Sequence, residues 1–149
     1  ENAMTIETRL AELGITLPDA PAPAANYVPY VISGNTLYVS GQISPLKGRL
    51  GADMAVEAGA EAARGCGLAL LAQAKAALGS LDRVKRVVRL GGFVSSTPEF
   101  TDQPEVINGC SNLMVEVFGD KGRHARAAVS VPALPRGVAV EIDAIFEIE

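Results

Sequence analysis

The most regular stretch of the chain lies near its C-terminus. Val138, Val140, Ile142 and Ala144 alternate with Ala139, Glu141, Asp143 and Ile145. This period of two predicts a strand over 138–146 with one buried face. Residues 126–131 alternate in the same way, and Pro132 to Gly137 joins the two runs as a turn. Near the other end, 28–33 and 36–40 read as short strands around Gly34-Asn35, a hairpin turn that tolerates positive φ. In the second of them Leu37 and Val39 alternate with Thr36, Tyr38 and Ser40, and Gly41-Gln42 is expected to end it. A further strand is predicted over 84–95, with Gly91-Gly92 as a bulge in its middle.

Between the strands the period changes to that of a helix. Ile6, Leu10 and Leu13 mark a weak helix closed by Gly14, and Pro18 to Pro23 follows as a stiff extended connector. An Ala-rich helix is predicted over 53–78, with Gly79 as its stop. Gly59, Gly65 and Gly67 inside it each cost ~1 kcal/mol relative to Ala, which close packing of this helix on the sheet, preferred to a break into two helices, explains. Asp102 is expected to cap the next helix, with Glu105 at capping-box spacing and Pro104 in the first turn. Val106, Cys110, Leu113, Met114 and Val117 form its apolar face, and Gly119 ends it. The order ββαβαββ, with two helices over one face of an antiparallel-rich mixed sheet, predicts an α+β two-layer fold. Residues 1–26 read as an N-terminal arm: a tag remnant before a natural start at Met4, a short helix and the Pro-rich connector. Residues 27–149 read as a single domain.

Composition narrows the function classes. At 149 residues, 48% of them hydrophobic and 20% charged, the chain can close one core. A net charge of −4, no Trp and 5% aromatics argue against a nucleic-acid partner, which needs a basic footprint or stacking platforms. Two cysteines and one histidine cannot supply a four-ligand Cys/His zinc site. Cys66 and Cys110 fall in different helices and read as reduced, buried thiols. With no membrane-length apolar run and no signal-peptide pattern, a cytoplasmic location is expected.

The alternation places candidate chemistry on the sheet. Ala127, Val129 and Val131 are expected under the helices with Val138, Val140, Ile142 and Ala144. The opposite face would then carry Arg126, Ala128 and Ser130 beside Glu141 and Asp143. If the turn near Leu134-Pro135 closes a hairpin, Arg126 lies within a pair or two of both carboxylates. One reading is a solvated face of cross-strand salt bridges. The other is that Arg126 binds a substrate carboxylate through its planar fork while Glu141 holds or activates a water. Tyr38 and Ile145 leave that face half apolar, which predicts a homo-oligomer. A pocket at such an interface could take Arg126 from one chain and other groups from a neighbour.

These residues resemble a known family. Ser40-Gly41-Gln42 after a strand, Arg126-x-x-Val129-x-Val131-x-x-Leu134-Pro135, and Val140-Glu141-Ile142 together are similar to marks of the YjgF/Rid family, the reactive intermediate deaminases, also labelled L-PSP endoribonuclease-like. The order of elements agrees from about Tyr27 to Ile148. The resemblance implies a chorismate-mutase-like fold and a homotrimer with intersubunit clefts. It implies hydrolysis of 2-imino and enamine acids to 2-oxo acids and ammonia, with no metal or organic cofactor. By the same resemblance Arg126 binds the carboxylate and Glu141 positions water. Tyr27, Gly41, Asn108 and Ala128 line the cleft. Ala128 stands where many members carry Cys or Thr, the segment between Asn108 and Arg126 is longer, and the N-terminal arm is extra, which mark a divergent branch. His124, beside the arginine, reads either as a solvated loop residue or as a second proton-transfer group. Two other functions stay open: a non-catalytic binder of small carboxylates such as 2-oxo acids, and an endoribonuclease using the basic run Arg83, Lys85, Arg86 and Arg89.

Overall fold

A computed structural model describes residues 5–23 and 25–149. The expected start at Met4, the remnant before it, and Ala24 of the arm lie outside the described residues. The elements run α1 (Ile6–Glu12), β1 (Tyr30–Ser33), β2 (Thr36–Ile43), α2 (Val56–Leu78), β3 (Val84–Ser95), α3 (Gln103–Phe118), β4 (Ala125–Val131) and β5 (Val140–Ile148). One five-stranded sheet has the order β1-β2-β5-β3-β4, with β3 and β4 parallel and the other pairs antiparallel. The core lies between the sheet and α2 and α3, where Leu37, Leu70, Leu90, Ile107, Leu113, Ile142 and Phe146 are fully buried. Leu10 joins this core from α1, and Arg9 Nε donates to the Glu116 carbonyl of α3 at 2.8 Å.

The C-terminal strands do not form the expected hairpin. β5 has the strongest alternation in the chain and lies between β2 and β3, bonded along both edges. β4 pairs with the far edge of β3, reached through α3, because parallel neighbours need a crossover of helix length. The assignment of faces on β4 is therefore reversed. Arg126 pairs with Leu90 and Ser130 with Val94, and both partners are fully buried under the helices. Arg126, Ala128 and Ser130 thus face the helices, and Val129 is 45% exposed on the open side.

Three local expectations also change. β2 runs on through Gly41-Gln42 to Ile43, with its irregularity between Val39 and Gln42. In β3 the register shifts lie between Val84 and Arg89, not at Gly91-Gly92. Gly92 is needed for packing, since a Cβ there would meet Ile107 Cδ1 of α3 at 2.7 Å. Asp102 precedes α3 but its side chain makes no capping hydrogen bond. Helix α2 is unbroken. Its Gly67 serves α3 rather than the sheet: a Cβ there would lie 2.8 Å from Leu113 Cδ2 and 3.0 Å from Cys110 Sγ, while Gly65 faces the Pro45 ring. Cys66 and Cys110 are free and buried, and burial pushes the Cys110 thiol up to about 12.

Candidate functional site

Two clusters of polar side chains form on opposite sides of the sheet. The first sits on the open face where β2 meets β5. Glu141 projects from β5 beside the backbone of Gly41, so close that a Cβ on Gly41 would lie 3.0 Å from the Glu141 carboxyl carbon and nearer still to Oε2. Tyr27, Gly41 and Glu141 line one cavity of about 430 Å³, together with Pro135, Arg136 and residues of the N-terminal arm. Burial, and secondarily the Asp143 charge, raise the Glu141 carboxyl above its ordinary range. Asp143 is also raised by burial, against the pull of Arg89, whose Nη1 lies 4.0 Å from its Oδ1. Arg89, not Arg126, is therefore the cation paired with Asp143, and Arg136 shares the cavity of Glu141.

Replacing Gly41 by Ala is expected to push the Glu141 carboxylate aside while sparing the fold, because the obstructed group is the end of a flexible side chain. Thermal unfolding should shift by no more than about 2 °C, while any activity that depends on Glu141 falls. Unchanged turnover would show that Glu141 does not work from this position.

The second cluster sits under α3 at the edge strand. Arg126 Nη1 donates to Asn108 Oδ1 at 2.9 Å and to Ser111 Oγ at 3.0 Å, and Nη2 donates to the Pro104 carbonyl at 3.2 Å. Ser111 also meets His124 Nε2 at 2.9 Å, while His124 Nδ1 lies 2.6 Å from the Gly122 carbonyl. A carbonyl can only accept, so Nδ1 carries the proton and Nε2 accepts from the Ser111 hydroxyl. Burial first, and the Arg126 charge as well, lower the His124 pKa and favour this neutral form. His124 is thus neither in open solvent nor aimed at Glu141; it braces the arginine through Ser111. Sequence reasoning passed over Ser111. Its signal was the polar pair Asn108 and Ser111, three residues apart beside the apolar face of α3. Ala128 lies two residues beyond Arg126 on the same side and packs partly against the core.

A single chain brings Tyr27, Gly41 and Glu141 together, and separately Arg126, Asn108 and Ala128. It does not join the two groups. β3 separates the strands of Arg126 and Glu141, and their side chains point to opposite faces. The open face is rich in exposed apolar residues, among them Val31, Tyr38, Val88 and Val129. The basic run is engaged internally: Arg83 Nη2 donates to the Glu149 carbonyl at 2.9 Å, Arg86 to the Arg123 carbonyl at 2.8 Å, and Lys85 lies 4.0 Å from Glu147. Among the described residues no helix is long and apolar enough to cross a membrane.

Comparison with known proteins agrees with this architecture. Residues 7–146 match the family model described as "YjgF/chorismate mutase-like, putative endoribonuclease". Protein TCP17 of Trypanosoma cruzi is 53% identical, over 96% of this chain and 94% of its own. The crystal structure of Atu1372, a protein of unknown function from Agrobacterium tumefaciens, is 53% identical with a TM-score of 0.90, over 97% of this chain and 92% of its own. The YjgF gene product of E. coli is 28% identical with a TM-score of 0.61, over 87% of this chain and 93% of its own. With its two-layer α+β sheet and this match over nearly its whole length, the chain belongs to the YjgF/chorismate mutase-like family.

Proposed function

We propose that the protein hydrolyses reactive 2-imino and enamine acids to 2-oxo acids and ammonia, in clefts between the protomers of a homotrimer. Family membership supports a Rid-type role in general. One observation carries the specific reading: each chain presents two complementary half-sites on opposite faces, an anchored guanidinium and a half-buried carboxylate in a cavity. Packing the edge strand β4 of one protomer against the open face of the next would bring them together. The apolar side chains exposed on that face support such packing.

The chemistry follows from the groups present. Three of the five guanidinium hydrogens of Arg126 are taken by Asn108, Ser111 and the Pro104 carbonyl. The Nε hydrogen and one on Nη2 remain to grip a carboxylate as a pair. With the substrate held as its iminium, Glu141 takes a proton from a water whose oxygen adds to the C=N carbon, giving a neutral carbinolamine. Glu141 returns that proton to the nitrogen, the C–N bond breaks to release ammonia as the hydroxyl oxygen forms C=O, and the hydroxyl proton passes to the Glu141 carboxylate and on to solvent. An enamine first gains a proton at its β-carbon and then follows the same course. A carboxyl raised toward neutrality suits both halves of this proton transfer. Tyr27 closes the cleft, and Gly41 lets the carboxylate approach the β2 backbone.

The test is a coupled assay in which an amino-acid oxidase or a serine/threonine dehydratase generates imino acids and 2-oxo acid appearance is followed. The protein should accelerate it. No acceleration across several imino acids would overturn the proposal. Thermal stabilisation by 2-oxo acids without turnover would then identify a small-carboxylate binder, a reading that Ala128 favours by removing a polar group from the cleft. An endoribonuclease would need a free basic groove, whereas the Arg83–Arg89 run is tied to carbonyls and carboxylates of its own chain.

Acid pH offers an independent check. Glu141 must be ionised to accept a proton, and its pKa is raised, so kcat/KM should rise with pH through a value above the ordinary carboxylate range. An acid limb at or below that range would remove Glu141 from the base role.

A further inference from the structure

The cavity beside Glu141 extends well past the carboxylate. Pro21, Ala22, Pro23 and Ala25 of the N-terminal arm form one wall; Pro29, Ile43 and Pro135 contribute to the rest. At about 430 Å³ it is several times what a three-carbon acid fills, and within the ~300–1,000 Å³ usual for small-molecule sites. The arm is held in place from below. Gln73 of α2, almost fully buried, donates through Nε2 to the Pro21 carbonyl at 2.6 Å, and the same nitrogen lies 3.4 Å from Gln42 Oε1. Gln42 in turn donates to the Ser40 carbonyl at 2.9 Å. The Nε2 groups of both lining amides and the Gln42 carbonyl are thus engaged within the protein. The prolines, with φ fixed, keep the wall stiff.

Resting on the deaminase reading above, we infer that this arm-walled cavity is the side-chain subsite of the cleft and that it selects 2-imino acids with large apolar side chains, branched aliphatic or aromatic, over the three-carbon 2-aminoacrylate and its imine. A carboxylate fixed at Arg126 of one protomer and a C=N carbon beside Glu141 of the next leave this apolar space as the outlet for a side chain. Filling it removes apolar surface from water on both partners. A three-carbon substrate leaves it hydrated and gains nothing from it. Arg136, at the rim in a left-handed backbone conformation (φ 59°), is well exposed, so its charged head reaches water.

Two measurements on the full chain test this. The first compares kcat/KM for imino acids made by an amino-acid oxidase from leucine, phenylalanine and alanine. The second measures Kd for the corresponding stable 2-oxo acids, 4-methyl-2-oxopentanoate, phenylpyruvate and pyruvate, by calorimetry. Both should favour the large apolar members by at least about tenfold, and Ala25→Trp, which fills the cavity from an exposed position, should reduce that ratio to within about twofold of unity. Gln73→Ala, which frees the Pro21 carbonyl, should reduce the ratio in the same direction. Equal constants for small and large members would overturn the inference, as would a ratio untouched by Ala25→Trp. A preference for 2-oxoglutarate abolished by Arg136→Ala would overturn it too, showing a site that reads a second charge. Turnover of no imino acid, with 2-oxo acids still ranked by apolar side chain, would sustain the subsite and overturn the deaminase reading alone.

Discussion

Arg126→Ala and Glu141→Gln, each nearly inactive by itself, should regain about a quarter of wild-type turnover when the two chains are assembled together in equal amounts. On the proposed mechanism, removing the arginine would delete a charge-assisted pair on the substrate carboxylate, a loss on the order of a hundredfold or more. Removing the base costs roughly 10²–10⁴-fold. The recovery follows from the two faces of the sheet. Arg126 lies on an edge strand under α3, and Glu141 on the far side two strands away, so one chain cannot close a site around a small acid. In a cyclic assembly each cleft would draw its arginine from one protomer and its glutamate from the next. With random mixing, half the protomers offering an arginine face carry an intact arginine, and half of those facing them carry an intact glutamate, hence about a quarter of the clefts.

Co-expression with two different affinity tags, and native mass spectrometry of the doubly purified sample, would establish that mixed assemblies are present. Activity that stays at the level of the single variants in such assemblies would mean that both residues act from one chain. The intersubunit cleft would then be abandoned. In that doubly purified sample the homotrimers are gone and each mixed ring keeps one intact cleft in three, so about a third of wild-type turnover is expected, and activity far above a third would mean that one of the two residues is dispensable in its partner's presence.

That Arg126 and Glu141 lie on opposite faces of the sheet is what the sequence concealed. The alternation in β5 was legible because its two faces differ sharply, with Val140, Ile142, Ala144 and Phe146 against Glu141, Asp143 and Glu147. The alternation in β4 was not, because Ala127 and Ala128 are alike and Ser130 and Val131 are both tolerable at an edge. Larger residues were therefore assigned to the core, whereas Val129 is spent on the open side. Strand pairing is a non-local property. Nothing in Pro132–Gly137 distinguishes a hairpin from a connection that passes β4 by and enters the middle of the sheet. Arg126 and Glu141 could be picked out by resemblance, and Asn108 with them. Ser111 and His124 could not, because their meaning arises only when α3 lies over β4 and a hydroxyl bridges a guanidinium to an imidazole. The glycines of α2 were read correctly as a sign of close packing, with the wrong partner. For Gly59 and Gly67 the neighbour is α3, through Val106, Leu113 and Cys110, while Gly65 faces the Pro45 ring of a loop.

That helix contact carries the largest expected effect on stability. Gly109 of α3 faces Ala60 of α2, and a Cβ at position 109 would run into the Ala60 carbonyl oxygen and lie 2.7 Å from its carbon. Two opposing terms decide the outcome of Gly109→Ala. Helix propensity favours Ala by up to ~1 kcal/mol. Overpacking usually costs about 1–3 kcal/mol, and more where nothing can yield. Here the obstruction is backbone inside a helix, which has no rotamer to change, so α2 and α3 must separate. A net loss of at least about 2 kcal/mol is expected, or roughly 4–8 °C in Tm for a chain of this size. Gly65→Ala is the matched control: it has the same propensity gain, but its new Cβ meets only the Pro45 ring, at 3.2 Å. It should be neutral or slightly stabilising. Denaturant unfolding of both variants would separate the cases, with a lowered midpoint at unchanged m for Gly109→Ala alone. Equal midpoints would show that the helices do not approach at Ala60. Because Asn108 and Ser111 flank this contact and hold Arg126, the same displacement should raise KM for a carboxylate substrate before the fold is lost. The close approach of α2 and α3 would thus tie the core to the guanidinium half of the cleft.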